Sequence, residues 1–295
     1  MKVGFIGLGA MGAPMAARLV AAGHDVRGFD TRAEAVAAWV QAGGSAAGSA
    51  ADAAQGAELL WLMVVTGEQA RDVLFTRGAA AALPQGAIVA LGCTQAPAMA
   101  QATARELDAM GLAMLDAPVS GGAKRAADGS LTIMASAPEA VFARARPLLD
   151  AMGQRVFDCG REIGLGSTAK MVNQLLCGVH IAAAAEALHV AERAGMDPAR
   201  MLEIIGVSAG NSWMFSDRGP RMLQDAPGVT SAVDIFVKDL GIVLGEGRTL
   251  KAGLPLSAAA MQMFLAASGL GHGAADDSQV IRAYRALNGA GVRKA

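Results

Sequence analysis

KVGFIGLGAMGAPMAARLVAAGHDVRGFD, residues 2–30, decides the fold. An apolar run, VGFIGL (3–8), leads into Gly7, Leu8, Gly9, Ala10, Met11 and Gly12, which stand in G-x-G-x-x-G register. An Ala-rich amphipathic stretch over 11–22 follows, and then a second apolar run, DVRGFD (25–30). Between a strand and a helix, the first glycine permits a tight turn, the second admits a pyrophosphate, and the third lets helix and strand pack closely. The open N–H groups and dipole of the helix N-terminus favour the anion. Asp30 closes the second strand 18 residues beyond Gly12, where a carboxylate accepts the hydroxyls of an adenosine ribose. The reading is a dinucleotide-binding βαβ unit. A methyl-transfer enzyme, with its own Gly-rich first turn and acid after strand two, is the alternative. Asp30 favours NAD, because it would repel a 2′-phosphate. Arg32 is the counter-argument, as a guanidinium binds that phosphate, and Thr31 lies between them.

The alternation continues outward. Further strand-like runs are LLWLMVV (59–65), AIVALG (87–92), AMLDAPV (113–119), SLTIMAS (130–136) and RVFDCG (155–160), with helical stretches at 33–42, 68–82, 97–110 and 139–152. Buried strand alternating with helix predicts a doubly wound, mostly parallel sheet covered on both faces. Val64 and Val65 end the third main run, at the edge where such sheets bind ligands.

The second half reads as helix throughout. One long signal runs from Ser167 to Ala194, ended by Gly195 and Pro198, and others fit 198–208, 230–252, 255–269 and 276–287. The boundary falls in GREIGLGST, giving a nucleotide-binding domain at 1–163 and an all-α domain at 164–295, joined by the long helix. That second domain is expected to bind substrate and to build a homodimer or homotetramer.

Composition excludes several classes. Hydrophobic residues make up 53% of the 295 and charged residues 17%, enough apolar material for a large core. The net charge is −1 with no basic run, which argues against nucleic acid. The three cysteines, Cys93, Cys159 and Cys177, are scattered and fit a reducing cytoplasm. The most apolar long stretch, 175–191, carries His180, Glu186 and His189, so no membrane span is expected. Lys2 before an apolar run imitates a leader peptide, but three glycines break that run and it leads to Arg18 without an A-x-A site.

Two further motifs bear chemistry. DAPVSGG (116–122) ends a strand, and its Ser120, Gly121 and Gly122 make either an anion cradle or a plain Pro-Gly turn. In GLGSTAKMVNQ (164–174), Lys170, Asn173 and Gln174 fall at i, i+3 and i+4 on one helix face. A desolvated lysine beside a nicotinamide is a candidate acid/base, while a lysine snorkelling to the surface is the plainer account. The only tyrosine, Tyr284, has no lysine four residues on, and the four histidines are scattered. No spacing of His, Cys and carboxylates suggests a metal.

In order and spacing these motifs resemble the β-hydroxyacid dehydrogenases over nearly the whole chain. The resemblance rests on GLGAMG, DAPVSGG, ADGSLTIMAS (127–136), the G-x-G-x-x-x-K-x-x-N element ending at Asn173, and VKDL (237–240). GVHIAAAAEAL (178–188) and SAGNSWMF (208–215) look most like the branch acting on four-carbon sugar acids. It implies a Rossmann domain, NAD(P)-linked hydride transfer and a small carboxylate-bearing substrate. Carried over, Lys170 is the catalytic acid/base, and Ser120, Gly121, Gly122, Asn173 and Gln174 bind substrate. Thr94 contacts the cofactor, and Lys238 closes over cofactor or substrate. Two departures stand out: Leu91 replaces an aspartate of the family, and Gln174 replaces the second asparagine of a pair.

Overall fold

The computed structural model describes residues 1–289. Its contacts divide the chain into two compact units, Met1–Met171 and Val172–Ala295.

The first unit holds nine strands: β1 (Lys2–Ile6), β2 (Asp25–Phe29), β3 (Ser45–Ala46), β4 (Leu59–Leu62), β5 (Ile88–Leu91), β6 (Ala113–Asp116), β7 (Val119–Ser120), β8 (Leu131–Ser136) and β9 (Gly153–Gly160). They form one sheet in the order β3-β2-β1-β4-β5-β6-β8-β7, with β9 on the other side of β8. Every pair from β3 to β6 is parallel. β8 runs antiparallel to β6 and β7 and parallel to β9. The helices are α1 (Gly12–Ala21), α2 (Ala33–Gln41), α3 (Ala50–Ala54), α4 (Gly67–Arg71), α5 (Ala79–Ala82), α6 (Pro97–Ala109), α7 (Gly122–Asp128) and α8 (Glu139–Met152).

Alternate residues of the strands feed two cores, as period-two side chains must. Phe5, Leu59 and Trp61 enter one with Met15 and Leu149. Ile6, Leu60 and Leu62 enter the other with Leu74 and Leu107. β4 and β5 are buried at every position, which is why they read as unbroken apolar runs.

α9 (Leu165–Arg193) begins in the first unit and continues into the second. The second unit adds α10 (Pro198–Gly206), α11 (Trp213–Met222), α12 (Val233–Thr249), α13 (Pro255–Ala267) and α14 (Ile281–Leu287). Its core packs Ile181, Ala185 and Leu188 of α9 with Phe236, Leu240, Phe264 and Tyr284. By length and composition alone α9 would pass for a membrane span, but half of its most apolar window is buried inside the protein.

Several elements differ from expectation. The stretch 68–82 is not one helix: a π-helical turn at Asp72–Thr76 and left-handed Gly78 separate α4 from α5. α7 and α11 are helices where none is predicted, and Gly219–Pro220 inside α11 hides it from a periodicity reading. Asn211 and Ser212 lie in the short connection between α10 and α11. Ser212 caps α11 by accepting from the Phe215 N–H, and Asn211 bonds Gly206 and Ser216.

Candidate active site

The Gly-rich turn has the geometry its spacing requires. Gly7 has φ +96, and a Cβ there would lie 2.2 Å from the Met63 carbonyl oxygen, with Val64 N 3.5 Å away. A Cβ on Gly12 would lie 1.7 Å from the Gly7 oxygen. Gly9 meets only the tip of Arg32, at 3.4 Å, so its backbone stays open to close approach. α1 then starts at Gly12 with no side-chain cap from Met11 and no acidic residue in its first turn. Those N–H groups suit a pyrophosphate.

Asp30 stands beside this turn. Its Oδ2 accepts from the Leu8 N–H at 2.8 Å and its Oδ1 from the Arg32 N–H at 2.9 Å. The Arg32 guanidinium folds back onto the same carboxylate, with Nε 3.2 Å from Oδ1. Burial works against the charge, but the bonds from Arg32 and Leu8 outweigh it and hold the carboxyl below its ordinary value. The turn and the carboxylate thus fit a nicotinamide dinucleotide. Ala10, Thr31 and Val65 are exposed beside them, and Met11 is half-buried. Thr94 is half-buried just past β5, where Leu91 is a core residue paired in register with Asp116.

Ser120 ends β7, and Gly121 (φ +137) and Gly122 (φ +71) turn the chain into α7. No L side chain adopts those conformations cheaply. Asp116, the last residue of β6, is fully buried and accepts from Gly164 N (3.1 Å), Ser167 N (2.7 Å) and Ser167 Oγ (2.7 Å). Lys170 follows three residues later and is itself buried.

In the second unit, Asn173 Nδ2 donates to Gln174 Oε1 at 3.0 Å. Gln174 Nε2 donates to Asp239 Oδ2, and Lys238 Nζ lies 2.7 Å from Asp239 Oδ1. One buried carboxylate thus gathers Asn173, Gln174 and Lys238. Asp116 and Asp239 escaped the sequence reading as organisers. Their only local signal is a carboxylate set among apolar neighbours in LDAPV and VKDL, which is costly to bury without partners.

Alternatives to lysine fare poorly. Burial and the neighbouring Glu186 push the Tyr284 hydroxyl up to about 12. Among the described residues no group of His, Cys and carboxylates could hold a metal.

Fold and turn together define a dinucleotide-binding protein, and the comparisons make its class that of an NAD-binding dehydrogenase. Residues 2–160 match the NAD-binding domain of 6-phosphogluconate dehydrogenase. Residues 164–284 match the NAD-binding model of NADP-dependent 3-hydroxyisobutyrate dehydrogenase. The chain is 47% identical to an L-threonate dehydrogenase of Cupriavidus necator, over 96% of both chains. It is 43% identical to the L-threonate dehydrogenase of Escherichia coli K12, over 99% of this chain and 97% of that one. A crystal structure of 3-hydroxyisobutyrate dehydrogenase from Salmonella typhimurium superposes with TM-score 0.89 at 44% identity, covering 95% of this chain and 98% of that one. The chain belongs to the β-hydroxyacid dehydrogenase family and is an NAD(P)-dependent hydroxyacid dehydrogenase.

Proposed function

We propose that the protein oxidises L-threonate to the 2-oxo acid with NAD. One observation carries the reading: a buried ammonium, Lys170, on the same helix as the amide of Asn173, in a chain so similar to L-threonate dehydrogenases. Residues 1–163 hold the cofactor through Gly7–Gly12, Asp30–Arg32, Val64, Val65 and Thr94. Residues 164–295 supply further substrate contacts and the surface for a homodimer or homotetramer. The compartment is the cytoplasm, in keeping with three cysteines that form no disulfide.

NAD bound on the Gly7–Gly12 turn supplies the hydride acceptor. Ser120 and the N–H groups of Gly121 and Gly122 hold the substrate carboxylate. Asn173, steadied by Gln174, donates to a substrate hydroxyl, and Lys238 closes the site. Lys170 Nζ takes the proton of the reacting hydroxyl as its C–O bond becomes C=O, then passes it to solvent. In reduction it returns the proton to the carbonyl oxygen. Acid–base help of this kind is worth about 10²–10⁴ in rate.

The test is NAD⁺ reduction by L-threonate, 3-hydroxyisobutyrate, glycerate and 2-(hydroxymethyl)-substituted acids, with NADP⁺ in parallel. L-threonate is expected to lead the panel. A clearly higher kcat/KM for 3-hydroxyisobutyrate moves the assignment to a 3-hydroxyisobutyrate dehydrogenase. Faster oxidation of glycerate, the reverse of tartronate semialdehyde reduction, moves it to a tartronate semialdehyde reductase.

A further inference from the structure

We infer that Asp116, with Ser167 and Ser136, is a positioning residue that locks the first turn of the Lys170 helix onto the strand end leading to Ser120–Gly122. The inference rests on Lys170 being the proton-transfer residue.

The first turn of an α-helix has N–H groups with no partner inside the helix. At the start of α9 these groups are met by the sheet. Gly164 N and Ser167 N donate to Asp116 Oδ2 at 3.1 and 2.7 Å, and Gly166 N donates to Ser136 Oγ at 3.0 Å. Ser167 Oγ donates to Asp116 Oδ1 at 2.7 Å, and Ser136 Oγ to Oδ2 at 3.4 Å. Asp116 and Ser136 are the final residues of β6 and β8 and face each other in register. Both are fully buried, and Ser167 is 1% exposed. Two strand ends thus grip one helix end: burial pushes the Asp116 carboxyl up, while the bonds from Ser167 and Gly164 and the helix N-terminus favour its anion.

The backbone leaves little slack. A Cβ on Gly166 would lie 2.6 Å from the Met134 oxygen and 2.7 Å from the Asp116 oxygen. The helix start therefore lies directly on the two strands. Lys170 is three residues beyond Ser167 along this helix, and Ser120 is four residues beyond Asp116 along the chain. The carboxylate touches neither substrate nor cofactor in this account. It fixes the base relative to the anion cradle, and a displacement of about 1 Å in such a pair can cost about 10²-fold in rate.

The full-length enzyme is assayed with NAD⁺ and the panel acid that the wild type turns over fastest. Asp116→Asn is compared on the wild-type and Lys170→Ala backgrounds. Asp116→Asn is expected to lower kcat at least 10-fold with KM for NAD⁺ changed less than 2-fold, and to cost nothing further once Lys170 is gone. Ser167→Ala should show the same pattern more weakly and Ser167→Thr should recover it, which keeps the test alive if Asp116→Asn does not fold. Two results overturn the inference while leaving Lys170 standing: Asp116→Asn and Ser167→Ala at full kcat, or an equal loss on both backgrounds. If Lys170→Ala itself keeps more than about a tenth of kcat, the lysine reading falls and this inference falls with it.

Discussion

Gln174 Nε2 donates to Asp239 Oδ2 across 65 residues of sequence, while its Oε1 accepts from the neighbouring Asn173. The longer amide at this departure from the family pattern therefore ties Asn173 to α12. Gln174→Ala should destabilise the protein by about 1–3 kcal/mol, because a buried carboxylate loses a donor. It should also raise KM for the acid several-fold, since Asn173 loses its support. Thermal melts and steady-state kinetics check both; unchanged melting would mean that the bond contributes nothing.

Arg32 lies on Asp30 through Nε and its own N–H, so its guanidinium is engaged by a carboxylate that itself suits ribose hydroxyls. NAD⁺ should be preferred to NADP⁺ by kcat/KM. Asp30→Ser should narrow the gap by releasing Arg32 toward a 2′-phosphate. Equal or better use of NADP⁺ by the wild type contradicts the reading.

Lys170→Ala should cut kcat by about 10² to 10⁴, with little change in NADH affinity measured by fluorescence titration. Lys170→Arg should be nearly as poor, since guanidinium cannot give up its proton near neutral pH.

Asp276 is buried and accepts from Thr230 N at 2.9 Å and Ser278 N at 3.2 Å, with Arg221 Nη1 3.0 Å away. Burial raises its pKa, but these partners outweigh burial and hold the carboxyl below 3.8. A carboxyl lowered on folding contributes stability that is complete above its unfolded pKa and is lost as pH falls through the folded one. Asp276→Asn should therefore cost about 1–3 kcal/mol at pH 7, and the difference should shrink below pH 3.8. Melts at pH 7 and pH 3 measure it; a gap that widens in acid reverses the sign.

The sheet was legible because its cues are local: Val3–Ile6, Leu59–Leu62 and Ile88–Leu91 are apolar throughout, and the glycines sit at turns. Lys170 and Asn173 were legible as a helical spacing. What sequence could not give is pairing at a distance. Asp116 meets Ser167 from 51 residues away and Gln174 meets Asp239 from 65, and nothing in either neighbourhood marks the partner. α11 was hidden for the opposite reason: Gly219 and Pro220 are strong local breakers, and tertiary packing of Phe215 and Met222 in the core overrode them.

β9 lies outermost beside β8, eight residues long, with Gln154, Arg155, Phe157 and Asp158 exposed. A strand of that length with an open flank is a template on which other chains can add, and an exposed phenylalanine makes it more inviting. The defence is electrostatic. Arg155 stands on the strand, Asp158 pairs with Arg161 at 2.7 Å, and Asp158 also ties down the Gly160 N–H at 3.0 Å. Any chain recruited there must desolvate those charges. Solubility at high concentration, quite apart from catalysis, should thus fall when Arg155, Asp158 and Arg161 are neutralised at this margin of the sheet.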